Sequence, residues 1–437
     1  MAKGFAAIPK EGRYVLANAT LAATLVDSPP GRPDADGLLV ADLTIRNGIV
    51  ERLDPPGRRT QLPILDLDRG MVWPCFVDIH THIDKGHIWP RRPNPDGTFA
   101  SALEAVRADR EANWSADDVR RRMDFSLRAA YAHGTRLLRT HVDSLPPQHR
   151  ISWPVFAAMR EAWAGRIELQ GVALYAIDAI LDDTFAGELV EVLKRYGGLL
   201  GAATFMIPEL DAALDRVFAL AIDNGFDLDL HVDESEDPAA RSLRHIADAA
   251  LRHRFAGRIT VGHCCSLALQ DKAEADETLA RVAEAGIAVV SLPMCNLYLQ
   301  DRHAGRTPRW RGVTLLHEMR ARGIPVAVAS DNTRDPFYAY GDLDPVEVFR
   351  EAVRILHLDH PVADWPRAVT RDAAAIIGRD GFGVIAAGRP ADLVLFRART
   401  WTELLARPQA DRTVLRSGRP IDRRLPDYRE LDDLMGR

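Results

Sequence analysis

Apolar and polar positions follow two different patterns along the chain. From about residue 75, short apolar segments of strand length alternate with longer amphipathic segments of helical period, such as 116–133, which Ser115 can cap and Gly134 can end. Because strands and helices alternate, this part predicts an α/β fold, a parallel (β/α)₈ TIM barrel. The eight predicted strands are 75–82, 135–142, 167–174, 199–205, 227–232, 258–263, 288–292 and 325–331.

Shorter strand patterns occur near both ends of the chain. Asn47-Gly48 is a strong hairpin turn signal, and residues 28–37, rich in Pro, Gly and Asp, predict a loop. A helical pattern at 367–377 precedes the strands of the second half. We therefore expect a small β-sandwich domain built from both chain termini, residues 1–74 and 383–437, beside a barrel domain of residues 75–382. The short strand patterns are 14–16, 38–45, 49–50, 384–385, 392–396 and 413–415.

Composition describes an ordinary globular protein. The 437 residues are 47% hydrophobic and 27% charged, with a net charge of -6. The basic residues are scattered, which argues against nucleic acid or an anionic membrane as the main partner. No segment approaches the roughly 18 consecutive apolar residues of a membrane span.

The cysteines and the N-terminal segment indicate which cellular compartment to expect. Cys75, Cys264, Cys265 and Cys295 form no Cys-x-x-Cys pair, so a disulfide framework is not expected. The segment up to Arg13 lacks the apolar centre of a secretory signal. We expect a cytoplasmic protein.

Candidate chemistry lies at the ends of the predicted strands. His80 and His82 end the first strand, and a spacing of two places both imidazoles on the same face. Active sites of such barrels lie at the carboxyl ends of the strands. One polar residue at a strand end is ordinary, but histidines and an aspartate recur at several of them, which favours a metal site. The later positions are His141, Asp143, His231, Glu234, His263, Asp331 and Asn332.

These segments resemble a known family. The residues that carry the resemblance are 77–85 (VDIHTHIDK), 139–143 (RTHVD), 231–234 (HVDE), 262–263 (GH), 296–302 (NLYLQDR), 330–332 (SDN) and 386–394 (AAGRPADLV). They resemble the amidohydrolase superfamily, and within it the cytosine deaminase branch and the related N-isopropylammelide isopropyl amidohydrolases. The resemblance extends from about residue 66 to about residue 395.

The resemblance implies one divalent metal ion, Zn²⁺ or Fe²⁺. The implied ligands are His80, His82, His231 and Asp331. Imidazole suits both metals, and a mixed histidine and carboxylate site can keep a position open for water. The fourth predicted strand, 199–205, does not end in the lysine that binuclear relatives carry, so one ion is expected rather than two.

The same resemblance implies catalytic roles. Glu234 resembles the proton shuttle of the family, His263 the histidine that polarises water or substrate, and Asp331 also accepts the water's proton. His141 and Asp143 are expected behind the ligands, where they orient them, although a buried structural role for either is an equal alternative.

The positions expected to contact the substrate depart from the cytosine deaminase pattern. Ala176 occupies the place of a base-reading glutamine, and Asn332 replaces a second acidic residue, while Lys85 is similar to the isopropylammelide enzymes. Candidates for substrate binding are Gln300, Asn296, Asn332, Lys85 and Phe337, of which Gln300 is the first choice and Phe337 an apolar wall.

Together these features predict an enzyme that hydrolyses C–N bonds. The expected reaction is deamination of a small aminated heterocycle, in which metal-bound hydroxide attacks the carbon of the C–N bond. One alternative is a cyclic amide or N-substituted amine hydrolase of the isopropylammelide type. Another is a non-catalytic scaffold, which the intact set of ligands argues against. Analogy with the superfamily suggests a homo-oligomer.

Overall fold

The computed structural model describes residues 4–436 of the chain. Its strands are β1 Arg13–Ala22, β2 Leu38–Arg46, β3 Ile49–Asp54, β4 Ile64–Asp66, β5 Val72–Pro74, β6 Phe76–Thr81, β7 Thr135–Asp143, β8 Glu168–Leu174, β9 Leu200–Thr204, β10 Leu228–Val232, β11 Ile259–His263, β12 Ala288–Ser291, β13 Val326–Val328, β14 Leu393–Leu395, β15 Thr413–Arg416 and β16 Arg419–Pro420.

Twelve α-helices accompany the strands within residues 4–436. They are α1 Phe99–Asn113, α2 Ala116–His133, α3 His149–Ala162, α4 Asp183–Tyr196, α5 Leu210–Asn224, α6 Ser242–Arg252, α7 Lys272–Glu284, α8 Pro293–Leu299, α9 Leu316–Ala321, α10 Pro345–Leu356, α11 Arg371–Ile376 and α12 Trp401–Ala406. The hydroxyl of Ser115 caps α2 as expected, accepting a hydrogen bond from the Asp118 amide at 3.3 Å. Over the same residues, no helix combines the length and apolar character needed to cross a membrane.

The chain forms two compact units. The first contains the residues up to Asp78, Arg128–Leu137 and Asp344–Pro426, and the second contains Ile79–Leu127, Leu138–Leu343 and the residues from Asp427 onward.

The first unit contains two four-stranded sheets. Their strand orders are β3-β2-β1-β4 and β16-β15-β14-β5. The hairpin between β2 and β3 turns at Asn47 and Gly48, which have φ values of 49° and 85°, as an Asn-Gly turn requires. Apolar side chains of both sheets, such as Leu43 and Leu393, belong to one buried core cluster.

The eight predicted strands of the central part are all present, as β6 to β13. They form two parallel sheets with the orders β6-β7-β8 and β13-β12-β11-β10-β9. Parallel bridges pair Val172 with Leu199, and Thr81 with Asp331. The prediction of an α/β fold with parallel strands is confirmed.

Pairing of these strands brings their carboxyl ends to one level. His231 pairs with Gly262, and Val232 pairs with His263. The amide of Asp331 donates a hydrogen bond to the carbonyl oxygen of His80 at 2.9 Å. Residues that are far apart in sequence therefore lie at the same end of the sheets.

Three local predictions differ from the structure. The strand predicted at 384–385 is a single bridge, in which Ile385 pairs with Val26. The helix predicted at 367–377 is interrupted at Thr370, whose φ of -141° and ψ of -103° are not helical. Helix α1 was not predicted as a separate element.

Candidate metal centre and active site

Four side-chain atoms converge at the carboxyl ends of β6, β10 and β13. The Nε2 atom of His231 lies 3.1 Å from the Nε2 atoms of both His80 and His82. The Oδ1 atom of Asp331 lies 3.2 Å from Nε2 of His82 and 3.7 Å from Nε2 of His80. We call these four residues the ligand cluster.

The donor set of the ligand cluster fits a divalent cation. If Nε2 of His231 carries a proton, that proton can form one good hydrogen bond, either to His80 or to His82. The lone pair of the other nitrogen is then left without a donor. A tetrahedral Zn²⁺ with bonds of 2.0–2.1 Å separates its ligand atoms by about 3.3–3.4 Å. The observed separations of 3.1 to 3.7 Å bracket that value.

The three histidines of the ligand cluster are neutral. Burial, followed by the positive charge of neighbouring groups, lowers the pKa of His80, His82 and His231 well below the usual value of imidazole. Neutral imidazole is the form that binds metal ions, so burial leaves these side chains in a state that can bind a cation.

A second layer fixes the orientation of His80. The Nε2 atom of His141 lies 3.2 Å from Nδ1 of His80, which directs the other ring nitrogen of His80 into the ligand cluster. Gly262 leaves the space that this ring occupies, because a Cβ atom there would lie 2.6 Å from Cε1 of His80. The hydrogen bond with His141 and the space at Gly262 therefore both position the ring of His80, which lies on β6.

Two of the predicted site residues have strained backbones. Asp331 has a φ of 64° and His263 a φ of 71°, in the left-handed region that residues other than glycine seldom adopt. Such conformations cost about 1–3 kcal/mol each and cluster at functional sites. Each lies where the chain leaves a strand, and no sequence pattern predicts this strain.

Glu234 and His263 lie beside the ligand cluster. Their carboxylate Oε1 and ring Nδ1 are 3.3 Å apart, and Nδ2 of Asn296 lies 3.2 Å from the former and 2.9 Å from the latter. Burial, followed by the charge of Asp331, raises the pKa of Glu234 well above its usual range. Burial lowers the pKa of His263 to about 3, so its ring is neutral.

A cavity of about 460 Å³ opens beside these groups, within the range of small-molecule sites. His82, His231, Glu234 and His263 line its inner end. Apolar side chains form much of the remainder, contributed by α1 and by the segments at or after the ends of β7, β8, β9 and β13. They include Phe99, Leu103, Val106, Leu145, Leu174, Tyr175, Phe205, Met206 and Phe337.

One side of the cavity carries paired charges, which we call the charged wall. Nζ of Lys85 lies 2.8 Å from Oδ1 of Asp143, and Nη1 of Arg110 lies 3.0 Å from Oδ2. The amide of Asp143 donates to Oδ2 of Asp84 at 2.7 Å. Asp143 thus orients a lysine at the cavity, whereas the sequence suggested that it orients metal ligands.

Asn332 and Phe337 line the cavity next to the charged wall. Nδ2 of Asn332 donates to Oδ2 of the buried Asp335 at 2.7 Å, which fixes the amide. Nζ of Lys85 lies 5.7 Å from the centre of the Phe337 ring, which in turn contacts Phe99 edge-on. Of the five predicted substrate-binding residues, these two and Lys85 line the cavity.

Gln300 and Asn296 are buried but do not line this cavity. Sequence reasoning missed Arg110 and Asp335, which hold Asp143 and Asn332. Arg110 lies on the unpredicted helix α1. Asp335 follows β13 by seven residues, too far to be read as a strand-end position.

Comparisons with known proteins show the family of this chain. The model of the family described as "Amidohydrolase family" matches residues 127–422. A curated relative, "Pterin deaminase" of Rhizobium rhizogenes (strain K84 / ATCC BAA-868), is 60% identical over 437 residues, which cover 100% of both chains. The chain belongs to the amidohydrolase family.

Solved structures show the same fold. A 5-methylcytosine deaminase from Klebsiella pneumoniae matches with a TM-score of 0.80 and 23% identity, over 95% of this chain and 98% of that chain. An N-isopropylammelide isopropylaminohydrolase from Burkholderia multivorans ATCC 17616 matches with a TM-score of 0.74 and 26% identity, over 94% and 98% of the two chains.

Together the comparisons confirm the predicted class. The chain is a deaminase-like hydrolase of the amidohydrolase superfamily that acts on a C–N bond of a heterocycle. The prediction that the protein can bind a metal ion is supported, because buried histidines and an aspartate are grouped closely enough to hold one.

Proposed function

We propose that the protein deaminates a pterin, a fused two-ring heterocycle with an amino group beside a ring nitrogen. The observation that carries this proposal is the 60% identity to a pterin deaminase along the whole of both chains, in a chain whose ligand cluster is intact. The cavity of about 460 Å³ has room for a two-ring substrate.

We assign His80, His82, His231 and Asp331 as ligands of one divalent ion, Zn²⁺ or Fe²⁺. Their convergence and the neutral state of the imidazoles support the assignment. When bound there, such an ion supplies hydroxide at neutral pH, because it lowers the pKa of water from 15.7 to about 7. Thr204, which ends β9, is no metal ligand, and this supports one ion rather than two.

Glu234 and His263 act on the substrate in this proposal. The Glu234 carboxyl delivers a proton to the ring nitrogen next to the amino-bearing carbon, and afterwards to the leaving amine. The His263 ring polarises the group that adds to this carbon. Asp331 accepts the proton of that group, and this proton returns to Glu234 before it is passed to the leaving amine. Water is consumed, the C–N bond breaks, and ammonia leaves as an oxo group replaces the amino group.

The cavity lining orients the rings. Lys85 presents ammonium N–H groups for the oxo edge of the substrate, while Asp143 holds it by an ion pair of 2.8 Å. Asn332 offers its amide, and the aromatic face of Phe337 packs against the planar rings. His141 keeps His80 oriented. Gln300 drops out of this set, because it does not line the cavity.

We further propose that the chain forms a closed barrel and a β-sandwich. The bridges Val172–Leu199 and Thr81–Asp331 support a closed (β/α)₈ barrel over residues 75–382. The core cluster common to the two four-stranded sheets supports a β-sandwich over residues 1–74 and 383–437. A cytoplasmic location stays a prediction.

An ammonia-release assay tests the proposed function. The purified, zinc-loaded enzyme is offered pterin, cytosine, isocytosine, creatinine and an aminotriazine at equal concentrations. Pterin should be turned over at least about tenfold more efficiently than any other, with the mass change of amino replaced by oxo. Ammonia from another ring but not from pterin would overturn the substrate assignment.

A second candidate function is hydrolysis of an N-substituted amine. Lys85 favours it, because this residue follows the first metal motif as in the isopropylammelide enzymes, one of which is 25% identical over 348 residues. Release of isopropylamine from N-isopropylammelide, with no ammonia from pterin, would support this candidate over the first.

A further inference from the structure

Asn296 occupies an unusual position for a residue that sequence reasoning assigned to the substrate. It lies on α8, is fully buried, and is absent from the cavity lining. Its Nδ2 atom faces two acceptors at once, Oε1 of Glu234 at 3.2 Å and Nδ1 of His263 at 2.9 Å. Because an amide nitrogen carries two hydrogens, it can donate one to each.

These contacts determine where the proton of His263 lies. A neutral imidazole has one N–H and one lone pair, and the hydrogen bond at one nitrogen sets the state of the other. If Nδ1 accepts from Asn296, the proton must be on Nε2. That nitrogen is buried and has no hydrogen-bond partner among residues 4–436, while the ring lines the cavity.

The position of His263 makes this proton useful. Its ring centre lies 5.1 Å from that of His231 and 5.3 Å from that of His80. A ring nitrogen of His263 also belongs to a group of potential ligand atoms with those two histidines, all within 4.8 Å of one another. An N–H donor here can stabilise negative charge that develops beside the ligand cluster.

We propose that Asn296 is a positioning residue, whose amide fixes His263 as the Nε2–H tautomer and holds the Glu234 carboxyl beside it. The effect of Asn296 on turnover rests on the proposed function of the protein. Sequence reasoning predicts that Asn296 contacts the substrate. In this proposal Asn296 instead acts by positioning His263 and Glu234. One side chain thus prepares a proton donor and aligns the group that moves protons.

The opposite orientation of the Asn296 amide gives a different prediction. Its Oδ1 atom would then face Oε1 of Glu234, placing two acceptor atoms 3.2 Å apart, and would accept a hydrogen bond from a protonated Nδ1 of His263. An aspartate at this position can do the same, since it has the same shape and only acceptor atoms. Asn296→Asp therefore separates the two arrangements.

The first experiment compares Asn296→Asp with Asn296→Ala. We expect Asn296→Ala to lower kcat about 10–100-fold, as loss of a supporting hydrogen bond does at catalytic sites. Asn296→Asp should lower kcat further, about 10²–10³-fold, because it draws the His263 proton to Nδ1 and repels Glu234. A packing role, or the opposite amide orientation, predicts the reverse order, and that result would overturn the proposal.

Other readouts separate positioning from folding. Both variants should keep one metal ion per chain and a KM within about threefold of wild type, since Asn296 touches neither ligand nor substrate. Asn224→Asp, the same change at the end of α5, should leave kcat unchanged. A KM increase with kcat unchanged would show a substrate contact and contradict the proposal.

Nitrogen NMR of the histidine-labelled, zinc-loaded wild-type enzyme tests the tautomer without any variant of Asn296. The His263 signals are identified by their absence in His263→Gln. We expect an unprotonated Nδ1 and a protonated Nε2, and the opposite pattern would refute the inference. This measurement needs no substrate, so failure of pterin turnover alone would refute only the proposed function.

Discussion

The ligand cluster and the charged wall are both buried and polar, but their polar atoms are arranged differently. In the ligand cluster, the Nε2 atom of His231 lies 3.1 Å from those of both His80 and His82, a geometry that protons alone cannot satisfy. In the charged wall, opposite charges of Lys85, Asp143 and Arg110 already satisfy one another at 2.8 and 3.0 Å.

The difference indicates separate tasks. A set of convergent lone pairs needs an external cation, so the ligand cluster depends on the ion for both its geometry and its chemistry. The charged wall is organised by the protein alone, so it can present Lys85 in a fixed position before substrate arrives. Damage to the ligand cluster should abolish turnover, whereas damage to the charged wall should weaken substrate binding.

Removal of a ligand gives the largest expected effect. His80→Ala should lose the metal ion and reduce pterin turnover to background, because the change removes one of the four donor atoms of a tetrahedral site. Metal content by elemental analysis and ammonia release measure the two losses. His245→Ala, at the surface on α6, is the matched control and should retain both. Full activity of metal-free His80→Ala would remove the ion from the mechanism.

Replacement of the proton shuttle should separate chemistry from metal binding. Glu234→Gln keeps the size of the side chain and its contact with Asn296, but it cannot transfer protons. We expect normal metal content and a kcat lower by about 10²–10⁴-fold. Metal analysis and steady-state kinetics on the same preparation provide the measurement. Turnover close to wild type would assign the proton transfer to another residue.

That the four residues of the ligand cluster lie together could be predicted from the sequence, because each is at or just after the end of a recognisable apolar strand. His80 and His82 share a strand face, and the remaining ligands recur at strand ends, so the parallel sheet brings them together. The pattern of strand ends gave a larger set of polar residues, and the resemblance to the family selected these four from it.

The charged wall was harder to predict because it combines separate local structures. Arg110 comes from a helix that lies outside the strand–helix alternation, and its partner Asp143 ends a strand. The role of Asn296 depends on which atoms its amide meets, and no periodicity encodes such a contact. Side-chain direction at helix and loop positions is set by tertiary packing, which spacing in the sequence does not show.

A change behind the ligand cluster should have a smaller effect than loss of a ligand. Gly262→Ala places a methyl group 2.6 Å from the His80 ring and disturbs its contact with His141. We expect zinc affinity to fall about 10–100-fold, measured by competition with a chelator. Gly187→Ala on α4, where a Cβ atom meets nothing within 4 Å, is the control and should bind zinc normally. Unchanged zinc affinity in Gly262→Ala would show that the His80 ring tolerates displacement.

The smallest expected effect comes from the outer partner of the charged wall. Arg110→Gln removes one of the two cations at Asp143, while Lys85 remains paired at 2.8 Å. The Arg110 side chain is 18% exposed, so water compensates part of the loss, and about 1 kcal/mol, or a fivefold rise in KM, is expected. Metal content and kcat should not change, and neither should any parameter of Arg120→Gln, an exposed arginine on α2. Loss of metal in Arg110→Gln would mean that the charged wall supports the ligand cluster. Metal binding and substrate binding would then not be separate tasks of the two regions.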